Sequence, residues 1–508
     1  MLTGDMLRRA AERFPAKTAV IWQDVRMSYR ELDAQANQVA HSLRGLGMGK
    51  GSKVAILSRN RPEYVTAFFG ASRSGCVLVN VSVLYSAEEL EYVLGKADVE
   101  VLLYEDAFAD KVAAAVPQLP RLRHAFTIDG ASEGKPSWAQ RLVAQPDTNP
   151  AVDISEDDAF CMTYTGGTTG RPKGVLASHR ARAVTAHTVV VESQLHENDV
   201  VAIVTPLFHV AALNIMLQPA VLLGATVVLF PKWETGNFAQ ACKQHGVTAA
   251  FMVPTQISMV ISDPAFNADD YASWTTLNFS GAPMPDWVQR AVLEKLPKLR
   301  LTQFYGQSEM GIVAVLKHGD LTAKLGSVGR QAYNADLAVL DPQGRRVAAG
   351  QVGEICARGE NVMLEYYGEP EQTAAFQAHG WAWSGDLATI DDEGFLRLVD
   401  RSKDMIISGG ENIYPKEIEN ILYEHGAVAE CAVFGTPDAV WGELPAAHVQ
   451  LKPGCNVTDA ELIDYCAQRL ARFKRPRFIK LVDDFPKTAI GKIQKNILRA
   501  QYGPANKR

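Results

Sequence analysis

A loop rich in glycine, threonine and lysine is the strongest chemical signal in the sequence. Between Tyr164 and Val175 it carries four glycines, three threonines and Lys173, and it follows an apolar strand candidate at 159–162. Backbone N–H groups, hydroxyl groups and an ammonium group are donors from which phosphate oxygens accept hydrogen bonds. The order Lys-Gly excludes a Walker A loop, which requires Gly-Lys followed by Ser or Thr. The sequence therefore predicts a polyphosphate-binding loop, with a flexible surface loop as the alternative.

A second group of polar residues lies where the strand candidate at 299–304 ends. Open α/β sheets bind ligands at the carboxyl ends of their strands. There the ring of Tyr305 can stack on adenine, Ser308 can reach a phosphate, and Glu309 offers the hard oxygen that Mg²⁺ prefers, with Thr165 sharing the ion. Taken alone, these residues also fit an ordinary turn with a solvated carboxylate.

Three charged residues further along the chain also suit a bound nucleotide. Asp386 can accept hydrogen bonds from both ribose hydroxyl groups, and Arg401 can add a guanidinium on the same side. Lys492 can bring an ammonium group to a phosphoryl group on which negative charge develops. Considered singly, each of the three also fits a surface ion pair or a solvated tail.

Composition and charge narrow the class of protein. The chain has 508 residues, about three folding units at the usual domain size, and 47% of its residues are hydrophobic. Its 51 Lys and Arg against 57 Asp and Glu leave a net charge of -6, so no global charge attracts nucleic acid. Any phosphate binding must be local.

Cysteine usage and the first residues indicate the compartment. Seven cysteines, an odd number without a Cys-x-x-Cys pair, argue against a disulfide framework or a zinc ribbon. Residues 1–15 predict an amphipathic helix that lacks the apolar core of a signal peptide. The most apolar stretch, 215–230, is too short and too interrupted to span a bilayer. We predict a cytoplasmic enzyme with no transmembrane segment, and the sequence leaves a homo-oligomer open.

Alternating short apolar runs and helical segments predict the architecture. From Val54 onward this pattern is typical of βα units around buried, mostly parallel sheets, and it resumes after a polar connection at 145–158. After Asp320, shorter runs with closely spaced Gly and Asp indicate an antiparallel, β-rich subdomain. The predicted fold class is α/β, with a large N-terminal domain at 1–400 and a small, mobile α+β domain at 401–508.

The order of the motifs indicates a family. The loop at 164–175 resembles the phosphate loop of the adenylate-forming, AMP-producing acid–CoA ligases, and further motifs of that family follow in the expected order. Order, spacing and overall length resemble those of bacterial fatty-acid–CoA and aryl-acid–CoA ligases, and the likeness covers essentially the whole chain. The further motifs are Pro206-Leu207-Phe208-His209, Ser280-Gly281-Ala282-Pro283, Tyr305-Gly306-Gln307-Ser308-Glu309, Gly353-Glu354, Trp383-Ser384-Gly385-Asp386, 400–412 and 486–492.

The resemblance implies roles for residues in most of these motifs. It places Lys492, Glu309, Ser308 and Lys173 in catalysis, Glu309 and Thr165 at the magnesium ion, and Lys403 at an interdomain hinge. The residues implied to line the acid pocket are Phe208, His209, Gly281, Met310 and Gly311. The residues implied to contact ATP or CoA are Thr165, Gly166, Gly167, Thr168, Thr169, Gly170, Lys173, Gly281, Ala282, Pro283, Gln303, Tyr305, Gly306, Ser308, Asp386, Arg401, Gly409, Gly410, Trp441, Phe473, Arg475, Arg477 and Lys492.

Three positions depart from the pattern of the resembled family. Gly166 stands where serine is common, so that position loses a hydroxyl group and keeps its backbone N–H. Ser308 and Ser384 stand where threonine is common, and both keep the hydroxyl. If the missing hydroxyl group at Gly166 has an effect, we expect it to be a lower affinity for ATP.

The implied reaction is ATP- and Mg²⁺-dependent activation of a carboxylic acid to an acyl-adenylate, followed by transfer to the thiol of CoA. The apolar residues of the implied pocket favour a medium- or long-chain fatty acid, and an aryl or hydroxycinnamic acid is the alternative. Two other classes stay open. One is an adenylation enzyme that loads a separate carrier protein, and the other is a non-catalytic nucleotide-binding protein.

Overall fold

The computed structural model describes residues 1–130, 137–165, 171–282, 284–409, 411–487 and 493–502. The chain divides into two compact units. The first unit consists of Met1–Thr165, Pro172–Leu337 and Ala357–Ala382, and the second of Gly166–Arg171, Ala338–Cys356 and Trp383–Arg508. The domain boundary that the sequence places after Asp400 stays a prediction.

The helices occur throughout the chain. They are α1 (Thr3–Arg13), α2 (Tyr29–Gly45), α3 (Pro62–Ser74), α4 (Ala87–Lys96), α5 (Ala109–Ala115), α6 (Trp138–Val143), α7 (His179–Ser193), α8 (Gln218–Leu223), α9 (Thr235–His245), α10 (Pro254–Ser262), α11 (Asp286–Lys295), α12 (Pro370–Phe376), α13 (Pro415–Glu424), α14 (Asp459–Ala467) and α15 (Lys495–Ala500). None of the described helices is long and apolar enough to cross a membrane.

The strands are short, and most lie between helices in the first unit. They are β1 (Thr18–Trp22), β2 (Val25–Ser28), β3 (Lys53–Leu57), β4 (Val77–Val81), β5 (Val101–Tyr104), β6 (His124–Thr127), β7 (Ala159–Thr165), β8 (Lys173–Ser178), β9 (Val200–Ile203), β10 (Thr226–Leu229), β11 (Ala249–Met252), β12 (Thr276–Phe279), β13 (Arg300–Gln307), β14 (Gly311–Leu316), β15 (Arg330–Gln331), β16 (Asp336–Leu340), β17 (Gly353–Arg358), β18 (Glu365–Tyr366), β19 (Ala382–Ile390), β20 (Leu396–Arg401), β21 (Ile406–Ser408), β22 (Glu411–Ile413), β23 (Val428–Asp438), β24 (Gly442–Leu451) and β25 (Phe478–Leu481).

Two mixed sheets form the first unit. One has the order β15-β14-β13-β12-β11-β9-β10-β1-β2, and its strands from β13 to β1 pair in parallel. The other has the order β18-β8-β7-β4-β3-β5-β6, with parallel pairing from β7 to β6. The predicted α/β class with two parallel sheet regions is confirmed.

Both faces of the second of these sheets are buried. Along β3, Val54 and Ile56 belong to one hydrophobic core, which also holds residues of α2, α3 and the nine-stranded sheet. The alternate residues Ala55 and Leu57 belong to another core, with residues of α4 and α5. Because side chains alternate across a strand, a strand covered on both faces reads as a continuous apolar run. That is why the sequence locates these strands so closely.

Local signals also explain the helix boundaries. In α3, Pro62 occupies the first turn, where its missing N–H costs no hydrogen bond. Gly75 ends the helix with φ +78°, a left-handed conformation that favours glycine. The predicted bounds of this helix, 62–74, are those of the structure.

The apolar segment after His209 differs from its prediction. The sequence predicts a helix at 210–217, but residues Ala212–Leu217 adopt π-helical geometry and continue directly into α8. Pro219 lies in the first turn of α8, and proline removes a helical N–H and crowds the preceding turn. The wider π turn accommodates that crowding, a geometry common at functional sites.

The second unit contains two smaller sheets. One has the order β16-β17-β19-β20, and β19 and β20 pair antiparallel as predicted for the β-rich region. The other has the order β22-β21-β24-β23, with β25 added in parallel to β24. Helices α13 and α14 cover this sheet, since their buried residues share a core with Val433, Val449 and Ile479.

Candidate active site

The base of the predicted phosphate loop is a β-hairpin in the first unit. Thr165 at the end of β7 lies directly opposite Lys173 at the start of β8. The Nζ atom of Lys173 lies 4.8 Å from the ring centroid of Tyr366. Residues Gly166, Gly167, Thr168, Thr169 and Gly170 lie outside the described residues.

Glu309 is tied to this hairpin through β18. Its side-chain Oε1 accepts a hydrogen bond from the hydroxyl of Tyr366 at 2.9 Å, and its backbone oxygen accepts one from the N–H of Met363 at 2.7 Å. Tyr366 in turn pairs with Val175 on β8. The structure therefore brings together Glu309, Lys173 and Thr165, which the sequence assigned to metal and phosphate binding, and adds Tyr366.

Tyr366 was missed by the sequence interpretation. The side chain is 8% exposed, and burial together with the neighbouring Glu309 carboxylate raises the pKa of its hydroxyl well above the usual range. The hydroxyl therefore stays protonated and donates. Tyr366 and Glu309 are 57 residues apart, and no local pattern joins them. We refer to Thr165, Lys173, Glu309 and Tyr366 as the Glu309 cluster.

The motif at 305–309, which the sequence places after a strand candidate at 299–304, begins within the strand itself. Strand β13 extends through Gln307 and forms a hairpin with β14. A Cβ atom at Gly306 would lie 1.8 Å from the backbone oxygen of Gly311, so only glycine permits this close approach. Gln303 and Tyr305 are 8% exposed on this strand, and Ser308 and Glu309 are partly buried in the turn.

Asn361 is a second residue that the sequence interpretation missed. Its Nδ2 donates to the backbone oxygens of Met310 at 2.6 Å and Ile312 at 3.2 Å, so it clamps both sides of Gly311. Gly311 has φ +61°, and a Cβ there would lie 2.8 Å from the Thr185 hydroxyl. The clamp holds the turn in a conformation that other residues rarely adopt.

Gly281 and Tyr305 both lie toward the carboxyl ends of paired parallel strands in the nine-stranded sheet. Strands β12 and β13 place Phe279 opposite Gln303, and Gly281 and Tyr305 each follow two residues later. Gly281 has φ +88° and is exposed, as is Ala282. The predicted residue Pro283 lies outside the described residues.

The residues predicted to line an acid pocket belong to the same region of the first unit. The rings of Phe208 and His209 lie 4.9 Å apart, between β9 and the π-helical segment. That segment shares its hydrophobic core with Phe304 and Ile312, which flank the Tyr305–Gly311 hairpin. Met310 is fully buried.

A separate group lies in the second unit around Asp386. The Nε atom of Arg401 lies 2.6 Å from Oδ1 of Asp386, and the two residues face each other on β20 and β19. The hydroxyl of Ser384 accepts a hydrogen bond from the N–H of Asp386 at 3.0 Å, so the group shared by serine and threonine has a function here. The structure thus joins the two residues predicted to hold the ribose.

The predicted CoA contacts in the second unit are brought together only in part. The N–H of Gly409 donates to the backbone oxygen of Trp441 at 2.8 Å, and a Cβ on Gly409 would meet the indole ring at 2.6 Å. Trp441 is 56% exposed. Phe473, Arg475 and Arg477 are exposed residues that precede β25, the strand adjacent to β24.

The remaining predicted residues are less informative. Lys403 lies in the short 3₁₀ turn Ser402–Asp404, where its backbone oxygen accepts a hydrogen bond from Arg499 at 3.2 Å. Its role as a hinge stays a prediction. Gly410 and Lys492 lie outside the described residues.

Comparison with known proteins identifies the family. Residues 7–367 match the AMP-binding enzyme model and residues 417–492 match the AMP-binding enzyme C-terminal domain. The fold and these matches define an ATP-using acid–CoA ligase that works through an acyl-adenylate. The chain belongs to the AMP-binding enzyme family, which confirms the resemblance seen in the motifs.

Relatives and solved structures cover nearly the whole chain. A feruloyl-CoA synthase from Amycolatopsis sp is 36% identical over 497 residues, 97% of this chain and 98% of that protein. A long-chain-fatty-acid–CoA ligase from Mycobacterium tuberculosis is 33% identical over 505 residues, 98% of each chain. The structure of an anthranilate CoA ligase in complex with anthranoyl-AMP has a TM-score of 0.89 at 29% identity, covering 99% of this chain and 98% of that one.

Proposed function

We propose that this ligase activates a carboxylic acid with a largely apolar body, and that the Glu309 cluster binds the phosphates of its ATP. The observation that carries the proposal is the hydrogen bond from Tyr366 to Glu309, with Lys173 against the same tyrosine ring. An ammonium group and a fixed carboxylate beside a glycine-rich loop are the groups that a metal-bound polyphosphate needs.

Glu309 is also the proposed ligand of Mg²⁺, with Thr165. Oε1 of Glu309 accepts a hydrogen bond from the Tyr366 hydroxyl. No described side chain donates to Oε2 of Glu309, so this oxygen is available to a hard cation. Mg²⁺ is commonly held by one or two carboxylates together with substrate phosphates and water, so one fixed carboxylate fits it. When bound, the ion would neutralise charge on the phosphate oxygens.

Asp386 and Arg401 are proposed to hold the ribose. An ionised carboxylate has about four acceptor sites on its two oxygens, so Asp386 can accept from ribose hydroxyl groups as well as pair with Arg401 through Oδ1. Adjacent ribose hydroxyl groups are donors of matching spacing. Tyr305 and Gly281 offer an aromatic ring and an unobstructed backbone for the adenine.

The chemistry proposed for these groups has two steps. An oxygen of the substrate carboxylate attacks the α-phosphorus of ATP, the new O–P bond forms and pyrophosphate leaves. The thiolate sulfur of CoA then attacks the acyl carbon, the thioester forms and AMP leaves. Lys492 is proposed to stabilise charge on the α-phosphoryl oxygens in the first step, and Trp441, Phe473, Arg475 and Arg477 to contact CoA in the second.

The identity of the acid is proposed in order of support. The apolar π-helical segment and the buried Met310 fit a medium- or long-chain fatty acid. A hydroxycinnamic acid is the second candidate, and the 36% identity to a feruloyl-CoA synthase over nearly the whole chain favours it. Gly281 lacks a side chain, and the one described atom close to the place of its Cβ is a methyl carbon of Val253 at 3.5 Å, which leaves room for a ring at this edge.

An acid panel tests this proposal. The protein is incubated with ATP, Mg²⁺, CoA and fatty acids from short to long, together with benzoic, phenylacetic and ferulic acids, and AMP and acyl-CoA are followed by mass spectrometry. Acyl-CoA from fatty acids alone supports the first candidate, and acyl-CoA from ferulic acid alone replaces it with the second. AMP without thioester from any acid contradicts CoA as the acceptor and points to a carrier protein.

A lysine variant separates the two steps. Lys492→Ala is expected to abolish acyl-adenylate formation and to leave thiolysis of a supplied acyl-adenylate largely intact, because the charge that Lys492 stabilises arises only in the first step. Lys495→Ala, three residues along the chain, is the matched control. Equal loss of both steps in Lys492→Ala would remove the assigned role.

A further inference from the structure

The turn that carries Asp386 is held by a carboxylate on the neighbouring strand. Oε1 of Glu354, on β17, accepts a hydrogen bond from the backbone N–H of Gly385 at 2.7 Å. Strand β17 lies beside β19 in the four-stranded sheet of the second unit. The Gly353-Glu354 motif has no part in the assignments above, although it stands next to the proposed ribose contact.

Gly353 explains how the carboxylate comes to lie there. A Cβ atom at Gly353 would lie 2.6 Å from the backbone oxygen of Leu340 and 2.9 Å from a methyl group of Val339. Only glycine therefore lets β17 pass this close to β16. Successive side chains of a strand point to opposite faces of the sheet. The position of Gly353 in β17 therefore also determines the face on which the Glu354 side chain lies.

The two peptides before Asp386 are both held by side chains. Gly385 has φ +72°, a conformation that favours glycine, and its N–H is taken by Glu354. The next N–H, that of Asp386, is taken by the hydroxyl of Ser384. Asp386 itself is 7% exposed and faces Arg401 at 2.6 Å. A change in the Gly385 peptide would therefore rotate the Asp386 carboxylate away from its present direction.

Two effects disfavour a charged carboxylate at Glu354. Burial raises the pKa of Glu354 above its ordinary value, and the negative charge of Asp386 raises it further, while the Gly385 N–H opposes both effects. A neutral acceptor would avoid the repulsion between the two carboxylates. A hydrogen bond to an ionised acceptor, however, is stronger than one to a neutral acceptor, so the charge holds the peptide more firmly.

We propose that Glu354 is a positioning residue for ribose recognition, which holds the Gly385 peptide and thereby aims the Asp386 carboxylate at the ribose hydroxyl groups. The inference rests on the proposed function, in which Asp386 accepts hydrogen bonds from these hydroxyl groups. Glu354 acts through the peptide and not on the nucleotide.

The test compares ATP with 2′,3′-dideoxy-ATP, which lacks both hydroxyl groups. The wild-type protein is expected to prefer ATP by at least about thirtyfold in kcat/KM, because the analogue cannot donate the ribose hydrogen bonds to the charged Asp386 carboxylate. Glu354→Ala and the isosteric Glu354→Met are expected to lower kcat/KM for ATP by about tenfold, through KM, and to change that for the analogue by less than about threefold. Glu354→Gln keeps an acceptor and is expected to restore most of the preference.

The ratio of the two kcat/KM values makes the test robust. Both are measured on the same preparation, so the fraction of correctly folded protein cancels. The matched control is Glu419→Ala, since Oε1 of Glu419 also accepts a backbone N–H within the second unit, that of Val433 at 3.0 Å. This variant is expected to keep the wild-type ratio whatever its stability.

The possible outcomes separate the ribose assignment of Asp386 from the positioning role of Glu354. A wild-type protein without preference for ATP would overturn the assignment of Asp386 to the ribose. A wild-type preference that survives in both Glu354→Ala and Glu354→Met would overturn the positioning role while leaving the ribose assignment intact. Loss of the preference in these two variants, with its return in Glu354→Gln, supports the proposal.

Discussion

Removing one hydroxyl group tests the Glu309 cluster. Tyr366→Phe keeps the ring that lies against Lys173 and against Phe376, at a centroid distance of 5.7 Å, and deletes only the donor to Glu309. A hydrogen bond to an ionised group contributes about 1.5–3 kcal/mol. Because Glu309 is only partly buried, the lower end applies, and about 1.5 kcal/mol corresponds to about tenfold in kcat/KM for ATP.

The adjacent tyrosine supplies the control. The hydroxyl of Tyr367 donates to Asp98 at 3.0 Å, an equivalent bond to a carboxylate outside the cluster. We expect Tyr367→Phe to lower the free energy of unfolding about as much as Tyr366→Phe does, and to leave kcat/KM for ATP unchanged. Steady-state kinetics at varied ATP and varied Mg²⁺ should show a higher half-saturating Mg²⁺ concentration in Tyr366→Phe alone. If the two variants have the same ATP and Mg²⁺ dependence, Tyr366 does not position Glu309.

Two further predictions concern stability. Gly306→Ala should lower the free energy of unfolding by more than about 3 kcal/mol, because its Cβ would collide with the Gly311 oxygen. Gly319→Ala, whose Cβ would have no described neighbour within 4 Å, should change it by less than about 0.5 kcal/mol in urea titrations. The second prediction concerns His179, because burial lowers the pKa of its imidazole from 6.5 to about 4. Between these two pH values the unfolded chain binds more protons than the folded protein, so the free energy of unfolding falls as the pH is lowered from 7. His179→Phe, which keeps the stacking on Phe160, should weaken this fall between pH 7 and 5, and an unchanged slope would exclude His179 as its source.

The sequence predicts the sheets well because the same physical signal is repeated in every strand. Strands such as β3 are covered on both faces, so each carries an unbroken apolar run bounded by polar turns. The motif residues Thr165, Lys173 and Glu309 were also found from the sequence. Thr165 ends β7, Lys173 begins β8 and Glu309 follows β13 by two residues, so each lies next to a strand. Position in the sheet, and not side-chain contact, is what their spacing encodes.

The contacts that hold these residues in place could not be predicted in the same way. Tyr366 reaches Glu309 across 57 residues, and Asn361 reaches Met310 across 51. These hydrogen bonds join segments that are far apart in the chain and have no shared period, so no local pattern records them. The π-helical segment after His209 was missed for a different reason. Its apolar residues have helical spacing, and only Pro219 signals that the turn must widen.

The three positioning residues lie close together in the chain. Glu354, Asn361 and Tyr366 all lie within thirteen residues of chain, and each contacts the backbone or carboxylate of a proposed ligand-binding turn rather than the ligand. Strong binding of ATP requires the carboxylate of such a turn to be oriented before the ligand arrives. Hydrogen bonds from outside the turn add to this orientation. The segment 354–366 supplies that orientation from outside each turn. Substitutions of Glu354 and Tyr366 should therefore act on the KM for ATP more than on the KM for the acid, although neither side chain is proposed to touch either substrate.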